Sequence, residues 1–169
     1  SLDFTGMLSA EISYLYNAFG ETLEEIRERT DASSDAVRTR YAYDKAGNLI
    51  AELDALLHLN RYGYDAFDNR VREEEFETPL ASDENWATSR PYLESRTRDF
   101  EYDNKDRRIR EELLGVSYGE MNNSTGAVTV DDWAILAKRY AYDHRDNLIE
   151  EVDSMGAVTR HYYDTIGQK

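Results

Sequence analysis

The chain has 169 residues, the length of one ordinary domain or of several small units that share a core. Its net charge of −15 makes a polyanion a poor partner, so non-specific nucleic-acid and anionic-membrane binding are set aside. The absence of cysteine excludes a disulfide scaffold, a thiolate metal site and a cysteine nucleophile.

At 40% hydrophobic and 33% charged the composition is polar, yet thirteen tyrosines are more than a disordered chain carries. No run approaches the roughly eighteen apolar residues of a membrane span. The opening Ser1-Leu2-Asp3 is neither a signal peptide nor a methionine start, and the chain reads as a piece of something longer.

From the N-terminus onward one short string recurs six times: Tyr14-Leu15-Tyr16-Asn17, Tyr41-Ala42-Tyr43-Asp44, Tyr62-Gly63-Tyr64-Asp65, Phe100-Glu101-Tyr102-Asp103, Tyr140-Ala141-Tyr142-Asp143 and His161-Tyr162-Tyr163-Asp164. Three residues after each Asp or Asn stands Gly20, Gly47, Asp68, Asp106, Asp146 or Gly167. An apolar column follows at Leu23, Ile50, Val71, Ile109 and Ile149, and two residues later a glutamate at Glu25, Glu52, Glu73, Glu111 and Glu151. The second tyrosines are spaced by 27, 21, 38, 40 and 21 residues, a unit of 21 with insertions.

Asp-x-x-Gly is the sequence of a type I turn followed by a left-handed residue, which closes a three-residue hairpin loop with a bulge. The Asp side chain bonds the turn's own backbone, and the fourth slot takes Gly or, at some cost, Asp. Each unit is therefore predicted to be a β-hairpin. A regular register beyond the loop places Tyr43 opposite Leu49, Ala42 opposite Ile50 and Arg40 opposite Glu52. In the other copies it places Arg61 opposite Glu73, Arg139 opposite Glu151, Gly63 opposite Val71 and Ala141 opposite Ile149. Asp99 opposite Glu111 is the like-charge exception, for Arg98 or Arg110 to compensate. One face then carries both tyrosines, and the other carries the small, β-branched and Arg/Glu columns.

Second turns join the units. Asp153-Ser154-Met155-Gly156 and Asp3-Phe4-Thr5-Gly6 share the Asp-x-x-Gly form, while Asp54-Ala55-Leu56-Leu57 lacks its glycine. Gly156-Ala157-Val158-Thr159 recurs as Gly126-Ala127-Val128-Thr129 within the 40-residue spacing, with ten extra residues before it and nine after. Lengthening on both sides of a turn predicts an extended hairpin arm. Asp131 to Ala137 is alternatively a short capped helix. The 38-residue spacing reads as a second arm with its tip near Ser82-Asp83-Glu84-Asn85, with Pro79 and Pro91 at sheet edges or loop ends.

On these columns the chain resembles the YD-repeat (Rhs-repeat, tyrosine-aspartate repeat) family over Tyr14 to Lys169, apart from the insertions and a polar spacer at Thr30 to Val37. Asn17, the Asp residues in three Gly slots and the long insertions depart from the family pattern. The resemblance implies an all-β fold, a strip of consecutive antiparallel β-hairpins forming an open segment of a shell. Residues 1–169 are then one module of about six repeats with insertions near 77–97 and 114–138. In bacterial Rhs proteins and insecticidal toxin-complex subunits such shells enclose a toxic domain, and in teneurins they serve adhesion. No self-cleaving core segment or toxin is found, so the resemblance implies wall: a non-catalytic segment of a large secreted or cell-surface protein. The repeat-defining residues are Tyr16, Tyr43, Asp44, Gly47, Tyr64, Asp65, Tyr102, Asp103, Tyr142, Asp143, Tyr163 and Asp164. The partners it implies are flanking repeats and an enclosed polypeptide, with edge-to-edge dimers where strand edges are left open.

No catalytic, cofactor or metal residue is assigned. His58 in a connecting turn, His144 in a hairpin loop and His161 in a tyrosine column lack ligand spacing. Asp65-Ala66-Phe67-Asp68-Asn69 and Asp143-His144-Arg145-Asp146-Asn147 hint at calcium but are explained by turn chemistry. Glu73-Glu74-Glu75 and Asp131-Asp132 read as solvated faces. Trp86 and Trp133, each in an insertion beside acidic residues, are the candidate ligand contacts. They point to a glycan on an adhesion surface if they are not simply covering the strip's own apolar face.

Overall fold

The computed structural model describes residues 11–28, 36–88, 95–122, 124–164 and 166–167. It is all-β, with no helix among these residues. Eleven strands follow one another: β1 (Ile12–Tyr16), β2 (Thr22–Arg27), β3 (Val37–Tyr43), β4 (Leu49–Leu53), β5 (Leu59–Tyr64), β6 (Arg70–Phe76), β7 (Ser95–Tyr102), β8 (Arg108–Met121), β9 (Val128–Tyr142), β10 (Leu148–Val152) and β11 (Val158–Arg160). They form one open antiparallel sheet whose strand order is the chain order. Asp3 to Gly6, most of the polar spacer and Pro91 lie outside the described residues.

The hairpin loops follow from the Asp and Gly slots. Asp44 Oδ1 accepts the backbone N–H groups of Ala46 and Asn48, both at 2.9 Å, and the Asp44 N–H donates to the Asn48 carbonyl at 2.9 Å. Asp65, Asp103 and Asp143 repeat the arrangement, and Asn17 repeats it with its amide oxygen. The fourth slot is left-handed throughout, with φ of 91° at Gly47, 63° at Asp68, 59° at Asp106 and 67° at Asp146. Connecting turns are built alike on Asp54 and Asp153. In the turn without glycine, Leu57 itself takes φ of 67°. That conformation costs a residue with a Cβ roughly 1–2 kcal/mol, and Leu57 holds it while packed against the apolar cluster described below.

The register departs from the regular pattern by one residue. Tyr43 does face Leu49, but Ala42 then faces Ala51, Tyr41 faces Glu52 and Arg40 faces Leu53. In the β9–β10 hairpin Tyr142 faces Leu148, Ala141 faces Glu150, Tyr140 faces Glu151 and Arg139 faces Val152. In β7–β8 Asp99 faces Glu112, and Glu111 lies opposite Phe100. The expected Arg40–Glu52, Arg139–Glu151 and Asp99–Glu111 pairs are thereby corrected. The cause is a second β-bulge in these three hairpins and in β1–β2, whose extra residue is the apolar column itself: Leu23, Ile50, Ile109 and Ile149. A bulge turns two successive residues toward the same side and resets the alternation. The glutamate column consequently lies on the tyrosine face, not on the opposite one.

The chain divides into two units. The first comprises the described residues of Ser1–Arg61 and Phe76–Glu94. Ala51 and Leu53 on β4, Leu59 on β5 and Phe76 form its core, with Leu53 opposite Leu59. Residues 77–88 form no strand, so the second arm does not exist there. The insertion instead covers this core: Leu80 and Trp86 pack against it, the Leu80 N–H donates to the Leu57 carbonyl at 2.8 Å, and Arg40 Nη1 meets Asp83 Oδ2 at 2.6 Å. Asn85, at the expected tip, is left-handed with φ of 55°.

The second unit comprises the described residues of Tyr62–Glu75 and Ser95–Lys169. The expected arm is present here, made by the 14 residues of β8 and the 15 of β9; the Asn122 N–H donates to the Ala127 carbonyl at 2.8 Å between them, and Gly126 has φ of 69°. Asp131 to Ala137 is strand, not helix: along the arm its backbone is paired with β8, from Tyr118↔Asp131 to Glu112↔Ala137. Both sides of that turn therefore lengthened together, as the duplicated Gly-Ala-Val-Thr motif implies.

Candidate functional site

The tyrosine face is the most organised surface of the second unit. Tyr102 Oη donates to the Arg70 carbonyl at 2.9 Å, Tyr142 Oη to the Arg108 carbonyl at 2.9 Å and Tyr163 Oη to the Leu148 carbonyl at 3.0 Å. In each case the acceptor lies five residues beyond the Asp of the preceding repeat, at the start of its second strand. The loop fixes this direction. Since the Asn147 carbonyl points back to the Asp143 N–H, the next carbonyl along β10, that of Leu148, points to the opposite side, toward the following repeat. The second tyrosine of the fourth, fifth and sixth repeats thus satisfies a carbonyl of the repeat before it, whereas Tyr43 in the first unit makes no such bond.

Between these hydroxyls lie stacked cations. Arg70 Cζ stands 4.5 Å from the Tyr62 ring centroid and 5.9 Å from that of Tyr64, Arg108 Cζ 4.3 Å from Phe100, and Arg107 Cζ 4.7 Å from Tyr142. The bulge brings the glutamates to the same side: Arg108 reaches Glu111 at 3.4 Å, three residues along one strand, a spacing that points to opposite faces in a regular strand. Arg70 and Glu73, at 2.9 Å, are spaced alike. Tyr140 Oη donates to Glu111 at 3.4 Å; burial first, then the Glu111 charge, pushes that phenol above its ordinary range. Replacing Tyr142 by Phe removes one hydrogen bond and leaves the Arg108 carbonyl unmatched, an expected loss of about 1 kcal/mol. Urea unfolding of the variant measures it, and the doubly substituted Tyr102/Tyr142 variant should show additive losses, since the two bonds share no atom.

A second ladder runs along the loops. Asn69 Nδ2 donates to Asp106 Oδ1 of the next loop at 2.9 Å, and Lys105 Nζ and Arg107 Nη1 reach Asp146 of the one after at 2.8 and 2.7 Å. In the first unit the corresponding approach is made by Glu21, whose Oε1 lies 2.9 Å from where a Cβ on Gly47 would sit. The residue in the fourth slot is therefore set by its φ and also by the loop that precedes it. The sequence carried this signal as the pairing of Asn69 with Asp106 and of Arg107 with Asp146 across neighbouring repeats, which a repeat-by-repeat reading does not examine. The opposite face of this unit carries ion pairs: Arg72 holds Asp99 through two bonds of 2.7 Å, and Arg110 meets Glu101 and Glu112. Asp99 is thus compensated by Arg72 rather than by Arg98 or Arg110. Arg98 meets Glu73 at 3.3 Å on the tyrosine side.

In the first unit Trp86 packs against the apolar core and also borders an open groove of about 980 Å³ with Phe19, Leu23, Tyr41, Tyr43 and Glu21. Burial first, then the neighbouring glutamates, raises both phenols: Glu52 acts on Tyr41, and Glu21 and Glu52 act on Tyr43. Trp133 lies on the β9 backbone in the arm of the second unit, so the two tryptophans belong to different elements. His58 Nδ1 is 3.2 Å from Asp54 and His161 Nε2 is 3.0 Å from Glu151. Among the described residues no group of three or more His, Cys, Asp or Glu side chains is placed to hold a metal ion, and no helix is long and apolar enough to cross a membrane.

No family model matches the chain, and no curated protein matches it. The solved structures it is similar to include chains in the following crystal structures. These are TcdB2-TccC3-Cdc42 (TM-score 0.43, 14% identity, 82% of this chain and 7% of that one), TcdB2-TccC3 (0.41, 14%, 82% and 7%) and TcdB2-TccC3-TEV (0.41, 16%, 96% and 9%). The chain thus spans less than a tenth of the length of each.

Proposed function

We propose that the chain is a non-catalytic segment of wall from a large secreted or surface YD-repeat protein, part of a β-shell that encloses a polypeptide such as a toxin domain. The observation that carries this reading is the repeated coupling of the second tyrosine's hydroxyl to a carbonyl of the preceding hairpin, at 2.9 to 3.0 Å in three successive repeats of the second unit. A device that joins each hairpin to its neighbour, and not to a ligand, builds a sheet of any required length. The carboxylates fit the same purpose. Asp44, Asp65, Asp103 and Asp143 cap loops, and Asp99 and Asp146 hold cations of neighbouring elements.

The test is protease protection in the full-length parent. A downstream domain should survive digestion while the wall is intact and become cleavable when Tyr102, Tyr142 and Tyr163 are all changed to Phe. A downstream domain cleaved equally fast in both proteins overturns the reading. A second reading, glycan recognition on an adhesion surface, is favoured by the aromatic groove that Trp86 shares with Phe19, Tyr41 and Tyr43. It requires sugar binding on a glycan array that is lost on Trp86→Ala in a variant that remains folded.

A further inference from the structure

Toward their loops neighbouring hairpins part, and the gap between the first and second has a counterpart between the fourth and fifth. Pairing of β2 with β3 ends at Glu24↔Arg40, and pairing of β8 with β9 ends at Arg110↔Arg139, the same columns of the repeat. What lies beyond differs. In the second unit the gap is closed by the Arg107 guanidinium, which Asp103 of its own loop anchors at 2.6 Å. That guanidinium donates to the Asp143 carbonyl at 3.1 Å and to Asp146 Oδ1 at 2.7 Å, and its Cζ stands 4.7 Å from the Tyr142 ring centroid. The Tyr142 hydroxyl completes the closure on the Arg108 carbonyl.

In the first unit the surrounding groups are present and the cation is not. Tyr43 stands in the column of Tyr142 and Asp44 in that of Asp143, while Glu21 occupies the column of Arg107. The fourth slot, Asp146 in the closed gap, is Gly47. Glu21 reaches across to it, with Oε1 2.9 Å from where a Cβ on Gly47 would sit. Both gaps therefore hold a carboxylate at the fourth slot, an aromatic ring and a loop carbonyl, and only the second unit's gap holds a guanidinium. Glu21 Oε2 accepts from the Asn17 amide, and an ionised carboxylate has nothing to donate. Among the described residues no cation is paired with Glu21, and the Tyr43 hydroxyl has no hydrogen bond. The space itself is open: it is the groove of about 980 Å³, which Asn17, Phe19, Glu21, Tyr43 and Gly47 line on the loop side.

We propose that this gap is a receptor site for an arginine side chain of a partner polypeptide, whose guanidinium takes the place that Arg107 fills between the fourth and fifth hairpins. Its fork donates to Glu21 Oε1 and to the Asp44 carbonyl, and its plane lies on the Tyr43 ring. A guanidinium suits this set better than an ammonium, because a flat, forked donor meets a carboxylate and a carbonyl at once while offering its face to an aromatic ring. Charge points the same way. Glu21 repels an anion, and the net charge of −15 draws a basic partner toward the chain. The site belongs to two hairpins of the first unit and does not depend on the wall reading.

The probe is the peptide acetyl-Gly-Arg-Gly-amide, titrated into the isotope-labelled full chain and followed by amide chemical shifts. Saturable shifts should centre on Glu21, Tyr43 and Gly47 and shrink at high salt. The citrulline peptide, of the same shape without the charge, should bind about ten-fold more weakly, the worth of one charge-assisted hydrogen bond. Glu21→Gln, with an unchanged circular dichroism spectrum, should weaken the arginine peptide by a similar factor. Tyr43→Phe keeps the ring and should bind as the native chain does, whereas Tyr43→Leu should bind more weakly. A second variant, Glu21→Arg with Gly47→Asp, rebuilds the closed gap from the chain's own residues and should abolish binding; Asp already occupies the left-handed slot at Asp68, Asp106 and Asp146. The proposal is overturned if citrulline binds equally well, if Glu21→Gln changes nothing, if the shifts gather in the Asp103 and Asp143 loops instead, or if none is seen. It is overturned as well if Arg90→Gln, with no peptide added, moves the Glu21 and Gly47 amides, since the chain's own arginine would then be the occupant.

Discussion

Leu53→Ala is expected to destabilise the first unit by about 2–5 kcal/mol, the range for emptying a fully enclosed leucine site. Leu53 is 1% exposed on β4, faces Leu59 at 0% on β5, and lies beside Ala51 and Phe76 under the cover of Leu80 and Trp86. The cavity cannot collapse easily, because the insertion that roofs it is tied down at two points, by the Leu80–Leu57 backbone bond and the Arg40–Asp83 ion pair. Against a total stability of roughly 5–15 kcal/mol for a domain, such a loss is a large fraction. Urea denaturation should show a lowered midpoint with an unchanged slope. Leu56→Ala is the internal control. Leu56 is the neighbouring turn's leucine, 70% exposed, and its removal should shift the midpoint by no more than about 0.5 kcal/mol equivalent. Equal effects from the two would mean that the insertion does not enclose the core.

The hairpins, their order and their loops were legible because turn chemistry is local. An Asp whose carboxylate caps the second and fourth following N–H groups, and a slot that must be left-handed, leave a trace in four adjacent residues. The arm was legible for a related reason: Gly126-Ala127-Val128-Thr129 duplicates Gly156-Ala157-Val158-Thr159, and matched lengthening on both sides requires partners.

The register was not legible, because a bulge leaves no composition of its own. Ile50 in a bulge and Ile50 in a regular pair are the same residue in the same string, and the Arg40/Glu52 charge match pointed to the pairing that the bulge displaces. What the bulge accomplishes is visible only in three dimensions. It brings Glu111 round to Arg108 and Tyr140 on one face, and it leaves Ala51 and Leu53 facing the core. The cover over that core was hidden as well. Residues 77–88 are acidic and proline-bearing, and nothing local marks Leu80 and Trp86 as a roof for residues about thirty positions earlier. As for the candidate contacts, the structure gives Trp86 a packing partner and a groove at once, while Trp133 is placed only by its backbone on β9.

The chain is expected to lose stability steeply in acid, and the loops say which groups are responsible. In Asp44 the backbone N–H of Asn48, then its side chain and the backbone of Ala46, hold the carboxyl below its ordinary range against the opposing effect of burial. At Asp65 burial pulls upward, but the N–H groups of Phe67 and Asn69 prevail. At Asp143 the Asn147 side chain leads. Asp103, bonded first by the Arg107 guanidinium, is lowered to about 2. A carboxyl with a lower pKa folded than unfolded binds fewer protons in the native state. Its contribution is therefore fully present above the unfolded value near pH 4 and is lost as pH falls through the folded value. For Asp103 that window runs from about pH 4 to about pH 2. The melting temperature should accordingly be level around neutrality and fall below about pH 4. Asn17 supplies the decisive control, since its amide oxygen caps the first loop at 2.9 and 3.0 Å with no charge to titrate. Changing Asp44, Asp65 and Asp143 together to Asn should preserve the loops at pH 7 and flatten the acid limb, because three sites of differential proton uptake are gone. If the acid limbs of the native and triple-Asn proteins run parallel, the caps are not what acid attacks, and the surface ion pairs are.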